Sequence, residues 1–151
     1  MKIASGDSVL ITSSLGSCIA VIIYEPKNKI GSLAHIMHSD STQFQNITNP
    51  AKYADTAISK MLNTFINKGC SIKDLKSYII GGANMFPTLE SSVEKNIGQK
   101  NIEAARDILR KNNIKLAGRD TGGTYGRTVE FHINDGTITV KSLRQGNNKL
   151  G

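Results

Sequence analysis

The sequence has few aromatic residues: Trp is absent, and aromatic residues make up only 5% of the chain. Single-strand nucleic-acid binders stack bases on aromatic side chains, and here the scattered Lys and Arg residues are not interleaved with any. The formal net charge of +7 therefore favours solubility and attraction to an acidic protein partner over nucleic-acid binding. Hydrophobic residues still make up 38% of the sequence, which predicts a folded chain throughout.

Cysteine is also scarce, and long apolar runs are absent. Cys18 and Cys70 form no CxxC pair or Cys/His cluster, which predicts free thiols in a cytoplasmic protein. Cys70 has no His nearby and is interpreted as a structural or incidental thiol. The N-terminus has no basic region followed by a long apolar core, so no secretory signal is predicted. The longest apolar run, residues 19–24, is far shorter than the roughly 20 residues of a membrane-spanning helix.

The predicted secondary structure mixes strands and helices. Short β-branched runs between turn signals predict strands over residues 8–12, 18–24, 30–37 and 75–80. Helical spacing of apolar residues predicts one helix between Asn49 and Gly69 and a second over about residues 97–112. Two alternating runs joined by Asp-Gly at 135–136 predict a further hairpin. Because the strands come in hairpin groups, we expect one α+β domain, residues 1–151, with mostly antiparallel pairing.

Two glycine-rich stretches, "IIGGANMF" (79–86) and "DTGGTYGR" (120–127), lack the GxGxxG and GKS/GKT signatures of nucleotide-binding loops. We interpret them as turns or as a backbone rim around a substrate side chain, with a structural role for Gly81 and Gly82. Asn101 lies on the apolar stripe of the second predicted helix, so its amide must find hydrogen-bond partners. The loop that contains Gly81 and Gly82 is the expected partner.

Cys18 and His35 are spaced like two facing positions of a hairpin. With Pro26 and Lys27 as the central turn residues, the two side chains are predicted to lie directly opposite each other, with Cβ atoms about 4.5–5.5 Å apart. A slip of one residue would put them on opposite faces of the sheet. An imidazole in this position accepts the thiol proton or, as His⁺, stabilises a thiolate, and either arrangement makes Cys18 a strong nucleophile.

The sequence around Cys18 also predicts an oxyanion site. Gly16 permits a sharp turn into the strand, which leaves the backbone N–H groups of Ser17 and Cys18 free to point at a developing oxyanion. Thr12, at the end of the preceding strand, is a candidate third member whose hydroxyl orients the imidazole. Acyl transfer is the reaction class that these groups suit.

Less specialised interpretations stay open. An isolated Cys in an apolar strand is usually a small buried hydrophobe, and a His in a strand is usually a satisfied polar residue. A zinc site is disfavoured, because His35 and His38 are three positions apart on one predicted strand and face opposite ways. Its other ligands would be Cys18 and either His132 or Asp40.

Six motifs are distributed over nearly the whole chain: "TSSLGSC", "AH" with His35, "KYADTAI", "IIGGANMF", "IGQKN" and "DTGGTYGR". Together they resemble the CheD family of chemoreceptor glutamine deamidases. The resemblance implies a catalytic triad with Cys18 as nucleophile, His35 as base and Thr12 as the orienting hydroxyl. It also implies a β-sandwich flanked by helices in the order α/β/β/α, similar to the catalytic domains of cytotoxic necrotizing factor toxins.

The activity that the resemblance implies is hydrolysis of selected glutamine side chains on the cytoplasmic helices of chemoreceptors, through a Cys thioester and without cofactor or metal. It implies a second partner, a CheC-type phosphatase of the response regulator CheY. The chain departs from the family pattern at Ser14, where a glycine-like turn residue is common, and at His38-Ser39, where Leu-Pro is common. The alternatives are a non-catalytic module that docks on receptors or on the phosphatase, and a cysteine protease or transglutaminase.

Overall fold

The computed structural model describes residues 1–85 and 97–151. Within them, the chain forms the strands β1 Lys2–Ser5, β2 Val9–Leu15, β3 Ile19–Glu25, β4 Ile30–Ile36, β5 Lys76–Gly81, β6 Lys115–Thr121, β7 Arg127–His132, β8 Ile138–Ser142 and β9 Gly146–Leu150, and the helices α1 Ala54–Asn67 and α2 Ile97–Lys111. Neither helix of the described residues is long and apolar enough to cross a membrane.

The strands form two sheets. The first sheet has the strand order β1-β4-β3-β5-β6, and the second has the order β2-β7-β8-β9. Neighbouring strands are antiparallel except β5 and β6, which run parallel. The connection between those two contains α2, as a parallel crossover requires. The predicted α+β class with mostly antiparallel pairing is confirmed.

The first sheet lies between the helices and the second sheet. All seven residues of its central strand β3 are buried, because both faces of the strand are covered. Ile19, Val21 and Ile23 pack with both helices, whereas Ala20, Ile22 and Tyr24 pack against the second sheet. The side chains of β3 therefore divide the interior into a helix-side core and an inter-sheet core.

Both α-helices contribute to the same core cluster, on one face of the first sheet. The described residues thus form the three layers helices, first sheet, second sheet. The layer order differs from the expected α/β/β/α, because no described helix covers the outer face of the second sheet. That face is compatible with exposure to water, since Glu130, Thr139 and Lys141 alternate with its buried residues.

The predicted register of the β3–β4 hairpin is wrong by two residues. His35 lies opposite Ala20, not opposite Cys18, and Glu25 pairs with Ile30. The connection is a four-residue turn over 26–29, because the Glu25 carboxylate accepts hydrogen bonds from two backbone N–H groups inside the turn at 3.0 and 2.7 Å. A shift of two residues keeps every side chain on its face of the sheet.

Several element boundaries also differ from the prediction. Strands β1 and β9 were not predicted, because β1 is only four residues long and β9 is polar and almost wholly exposed. Pro50 begins a 3₁₀ turn, and α1 starts later, at Ala54. The hairpin predicted at 135–136 is confirmed, since it joins β7 to β8 and Gly136 has a φ of 78°.

Candidate active site

The chain passes from the second sheet to the first between β2 and β3. The pairing of β2 with β7 shifts between Thr12 and Leu15, and Ser14 has a φ of 60° within this irregularity. The Gly16 N–H then donates to Ser14 O at 3.1 Å. Ser14 thus holds a left-handed conformation at the turn where a glycine-like residue is common in the resembled family. The bend places Thr12 in the second sheet and Cys18 immediately before β3 of the first sheet.

A hydrogen bond joins the two sheets at Thr12 and His35. The Thr12 Oγ1 atom lies 2.9 Å from His35 Nδ1, and both residues are partly buried. A general base must present an unprotonated Nε2, and that tautomer has Nδ1–H donating to the hydroxyl oxygen. Within the described residues, His35 Nε2 is buried and has no hydrogen-bond partner. This nitrogen is therefore available to a thiol or to a substrate.

Cys18 lies on the same side of the first sheet as His35. It precedes Ala20, the residue opposite His35, by two positions, and it lies one residue before the last pair of the β3–β4 ladder, Ile19 with Ile36. Cys18 packs against the inter-sheet core. The structure therefore joins Thr12 to His35 directly and places Cys18 against the same inter-sheet core.

The glycine pair after β5 holds the backbone around Cys18. The Gly82 N–H donates to Cys18 O at 2.9 Å, and the Ala83 N–H donates to Gly16 O at 2.8 Å. Gly81 has a φ of 105°, and a Cβ atom there would lie 2.5 Å from Cys18 O. Only glycine suits this conformation and this close approach. The structural role predicted for Gly81 and Gly82 thus has a physical basis in the support of the Cys18 segment.

Asn101 on α2 reaches the same segment, but by contacts that differ from the prediction. Its side chain is 1% exposed, and Nδ2 donates to Ser17 O at 3.2 Å and to Met37 O at 3.0 Å. The expected partner, the loop with Gly81 and Gly82, is therefore wrong. Both carbonyls lie just beyond the last pair of the β3–β4 ladder, Ile19 with Ile36.

The backbone N–H groups of Ser17 and Cys18 are the predicted oxyanion donors. Among the described residues, neither donates to another backbone group outside the strand pairing. The carbonyls of Gly16, Ser17 and Cys18, by contrast, all accept hydrogen bonds. The segment is thus held by its carbonyls, and the Cys18 N–H points at the Cys18 thiol, to which it donates a hydrogen bond.

Electrostatics favour a neutral Cys18 and a neutral His35. Burial raises the pKa of the Cys18 thiol, although a hydrogen bond from its own backbone N–H partly offsets this. Burial also lowers the pKa of His35, and the positive N-terminal amino group lowers it further. Of the two arrangements expected from the sequence, the neutral pair with His35 as base fits these pKa shifts, and the preformed thiolate–imidazolium pair does not.

Arg127 supports the site from the second glycine-rich stretch, and sequence analysis did not single it out. Its guanidinium is buried, forms an ion pair with Asp120 at 2.9 Å and donates to Gly122 O. Gly122 N–H in turn donates to Gly81 O at 2.9 Å. Arg127 therefore stabilises the loop that contacts Gly81. The pairing of Asp120 with Arg127 inside one short motif was the available signal.

The residues considered as zinc ligands do not converge. The His38 ring packs against the rings of Phe44 and Tyr53 at centroid distances of 4.7 and 5.4 Å. His132 lies opposite Val9, three pairs along β7 from the residue opposite Thr12. Over residues 1–85 and 97–151, no three His, Cys, Asp or Glu side chains are grouped so that they could hold a metal ion.

Comparison with known proteins identifies the family. Residues 37–142 match the family described as "CheD chemotactic sensory transduction". The chain is 41% identical over 142 residues, 94% of its length and 86% of the relative, to a probable chemoreceptor glutamine deamidase CheD of Desulforamulus reducens. A protein of the same description from Clostridium acetobutylicum is 40% identical over 93% of this chain and 85% of the relative. The chain therefore belongs to the CheD family.

Proposed function

We propose that this protein is a protein-glutamine deamidase that converts glutamine side chains of chemoreceptors to glutamate, with Cys18, His35 and Thr12 as its catalytic triad. The observation that carries the proposal is the Thr12–His35 hydrogen bond of 2.9 Å, which orients a partly buried imidazole on the side of the first sheet against which Cys18 packs. The names of the relatives, chemoreceptor glutamine deamidases, support the substrate class. A thiol, an oriented base and backbone N–H groups beside the thiol are the groups that acyl transfer needs.

The first half of the reaction forms a thioester. His35 Nε2 accepts the Cys18 thiol proton as Sγ bonds to the carboxamide carbon of the substrate glutamine. The carbonyl oxygen becomes an oxyanion, which the Ser17 and Cys18 N–H groups stabilise. When the C–N bond breaks, the imidazolium returns the proton to the departing nitrogen, and ammonia leaves. The neutral ground state of Cys18 and His35 fits this sequence, because the base must be unprotonated at the start.

The second half hydrolyses the thioester. His35 Nε2 accepts a proton from water as the water oxygen bonds to the thioester carbon. The C–S bond of the resulting tetrahedral intermediate then breaks, and the proton returns to the Cys18 sulfur. The products are a glutamate side chain and the free thiol, so no cofactor is consumed.

The charge of the protein and the proposed location of the reaction also favour chemoreceptors as the substrate. A chain with a formal net charge of +7 is attracted to acidic receptor helices, which increases the rate of encounter. We place the reaction in the cytoplasm, where the helical bundle of the receptors lies. A CheC-type phosphatase is the second partner that we propose, in competition with the receptors for the same domain.

The proposal is tested by incubating a chemoreceptor cytoplasmic fragment with the wild-type protein in water enriched in heavy oxygen. Peptide mass spectrometry should detect glutamate at specific former glutamine positions, with one solvent oxygen in each. Cys18→Ala removes the nucleophile and should abolish this conversion. Cys70→Ala is the matched control, because Cys70 is buried in the helix-side core and should leave the conversion close to the wild-type rate.

Each result distinguishes between the proposed functions. Conversion by wild type and Cys70→Ala but not by Cys18→Ala would establish a Cys18-dependent deamidase. Equal conversion by Cys18→Ala would exclude Cys18 as the nucleophile. Absence of conversion, while wild type and Cys18→Ala bind the fragment equally, would replace the enzyme with a docking module.

A further inference from the structure

We propose that Asn101 is a positioning residue for this reaction: by binding the carbonyl of Ser17, it directs the Cys18 N–H toward the oxyanion. The inference rests on the proposed deamidase function and adds to it a residue on α2 that touches neither the substrate nor the sulfur.

Asn101 acts where the pairing of β3 and β4 ends. The last pair of the ladder is Ile19 with Ile36. Beyond it, the N–H groups of Met37 and His38 donate to Lys52 O at 2.8 and 3.1 Å, and they no longer pair with the Cys18 segment. The carbonyls of Ser17 and Met37 would lose their partners at this point, and Asn101 Nδ2 binds both. One amide group therefore fixes the chain on either side of the separation.

The contact with Ser17 determines the direction of the oxyanion donor. Ser17 C=O and Cys18 N–H belong to one planar peptide unit, and no described peptide bond is cis. In a trans unit the two groups point in opposite directions. Because the carbonyl points toward Asn101 on the helix side, the N–H points away from the helices. That is the side on which Cys18 packs against the inter-sheet core and on which His35 lies.

The unpaired side-chain oxygen of Asn101 indicates that this residue is present for its N–H donors and not for packing alone. Its Oδ1 is buried and has no hydrogen-bond partner among the described residues, and a buried unpaired acceptor lowers stability. The helix position is otherwise apolar, since Ile102 and Ala105 beside it belong to the helix-side core. A residue selected only for packing would be apolar here. The two N–H donors are thus the property that the position requires.

The test separates oxyanion stabilisation from the reactivity of the thiol. Asn101→Leu keeps the shape of the side chain and removes both donors, and we expect kcat for receptor-fragment deamidation to fall by about 10- to 100-fold with little change in KM. Alkylation of Cys18 by iodoacetamide forms no oxyanion. In a Cys70→Ala background, its limiting rate at high pH should therefore stay within about twofold of wild type.

Ser77→Ala is the matched control for stability. Ser77 is also fully buried, and its hydroxyl donates to a backbone carbonyl, Lys115 O, at 3.0 Å. It lies at the opposite end of β5 from Gly81. The variant should lower the melting temperature and leave kcat unchanged. Asn101→Ala is assayed as a second variant that cannot clash with the core, and it should give the same kcat deficit as Asn101→Leu.

The possible results test the role of Asn101 separately from the proposed function. Absence of deamidation by the wild-type protein would contradict the proposed function itself. With an active wild type, an unchanged kcat in folded Asn101→Leu would overturn only the role of Asn101. A parallel loss of deamidation and alkylation, or failure of both variants to fold, would also overturn it, because Asn101 would then serve the fold and not the oxyanion.

Discussion

Thr12 and His35 belong to different sheets, and the 2.9 Å contact between Thr12 Oγ1 and His35 Nδ1 is a hydrogen bond between the two layers of the sandwich. The orientation of the imidazole therefore depends on how the sheets pack, and not only on the strand that carries His35. In this arrangement the second sheet carries Thr12 of the candidate triad, while His35 lies on the first sheet and Cys18 immediately precedes its strand β3.

Removing the Thr12 hydroxyl should slow the reaction without exposing the core. Thr12→Val keeps the side-chain shape, and we expect kcat to fall by about 10-fold or more because the imidazole loses its orienting partner and its preferred tautomer. Thr12→Ser keeps the hydroxyl and should recover most of the activity. Steady-state deamidation of a receptor fragment measures both; equal loss in the two variants would show that the methyl packing matters and the hydrogen bond does not.

The reactivity of Cys18 should depend on pH as expected for a neutral pair. Burial raises the pKa of the Cys18 thiol above its ordinary value of 9.0, so the alkylation rate should rise through alkaline pH and show no plateau in the acid range. The pKa of His35 is lowered below 6.5, so the acid limb of kcat/KM should lie below pH 6.5. An alkylation plateau extending below neutral pH would instead indicate a preformed thiolate–imidazolium pair.

Stability should fall when His35 becomes protonated. Since its pKa is lower in the folded protein than in the unfolded chain, the unfolded chain binds more protons as pH falls through 6.5. The free energy of unfolding contributed by His35 is therefore complete above that pH and is lost progressively below it. Urea unfolding of wild type and His35→Gln across this range measures the effect, and the variant should lack this component of the pH dependence. A matching slope in both proteins would contradict it.

A side chain at Gly98 should separate α2 from the Cys18 segment. A Cβ atom there would collide with the backbone of Gly82, whose N–H holds Cys18 O. We expect Gly98→Ala to lower the free energy of unfolding by about 1–3 kcal/mol and to reduce kcat as well. Gly126→Ala is the control, since its nearest neighbour would be 3.9 Å away. Thermal unfolding of the two variants should differ clearly; similar melting temperatures would contradict the close approach.

Two Arg–Asp pairs of different burial offer a direct comparison. Arg127 is 1% exposed where it binds Asp120, whereas Arg110 is 77% exposed where it binds Asp107. Arg127→Met should lower the free energy of unfolding by about 3–5 kcal/mol, because it removes one partner of a buried pair. Arg110→Met should change it by less than about 1 kcal/mol. Denaturant unfolding measures both, and equal effects would show that Arg127 does not stabilise its loop.

The predicted pairing of Cys18 with His35 illustrates what sequence patterns can and cannot predict about a hairpin. Cys18 and His35 were predicted to face each other across a two-residue turn, and the four-residue turn pairs His35 with Ala20 instead. The predicted face of the sheet is still correct, because side chains alternate with a period of two. The predicted partner of His35 is wrong, because the turn length depends on how the Glu25 carboxylate binds the backbone. The catalytic roles of Thr12, Cys18 and His35 stay predictions until they are tested.

The sequence by itself determined the elements whose causes are local. Apolar periodicity located both helices, β-branched runs located the central strands, and the Asp-Gly pair located the β7–β8 hairpin, since each depends on residues close together in the chain. Only the tertiary structure decided that Asn101 holds Ser17 and Met37 and that Thr12 reaches His35. Those contacts join residues 84, 64 and 23 positions apart, and their geometry follows from the packing of helix on sheet and of sheet on sheet.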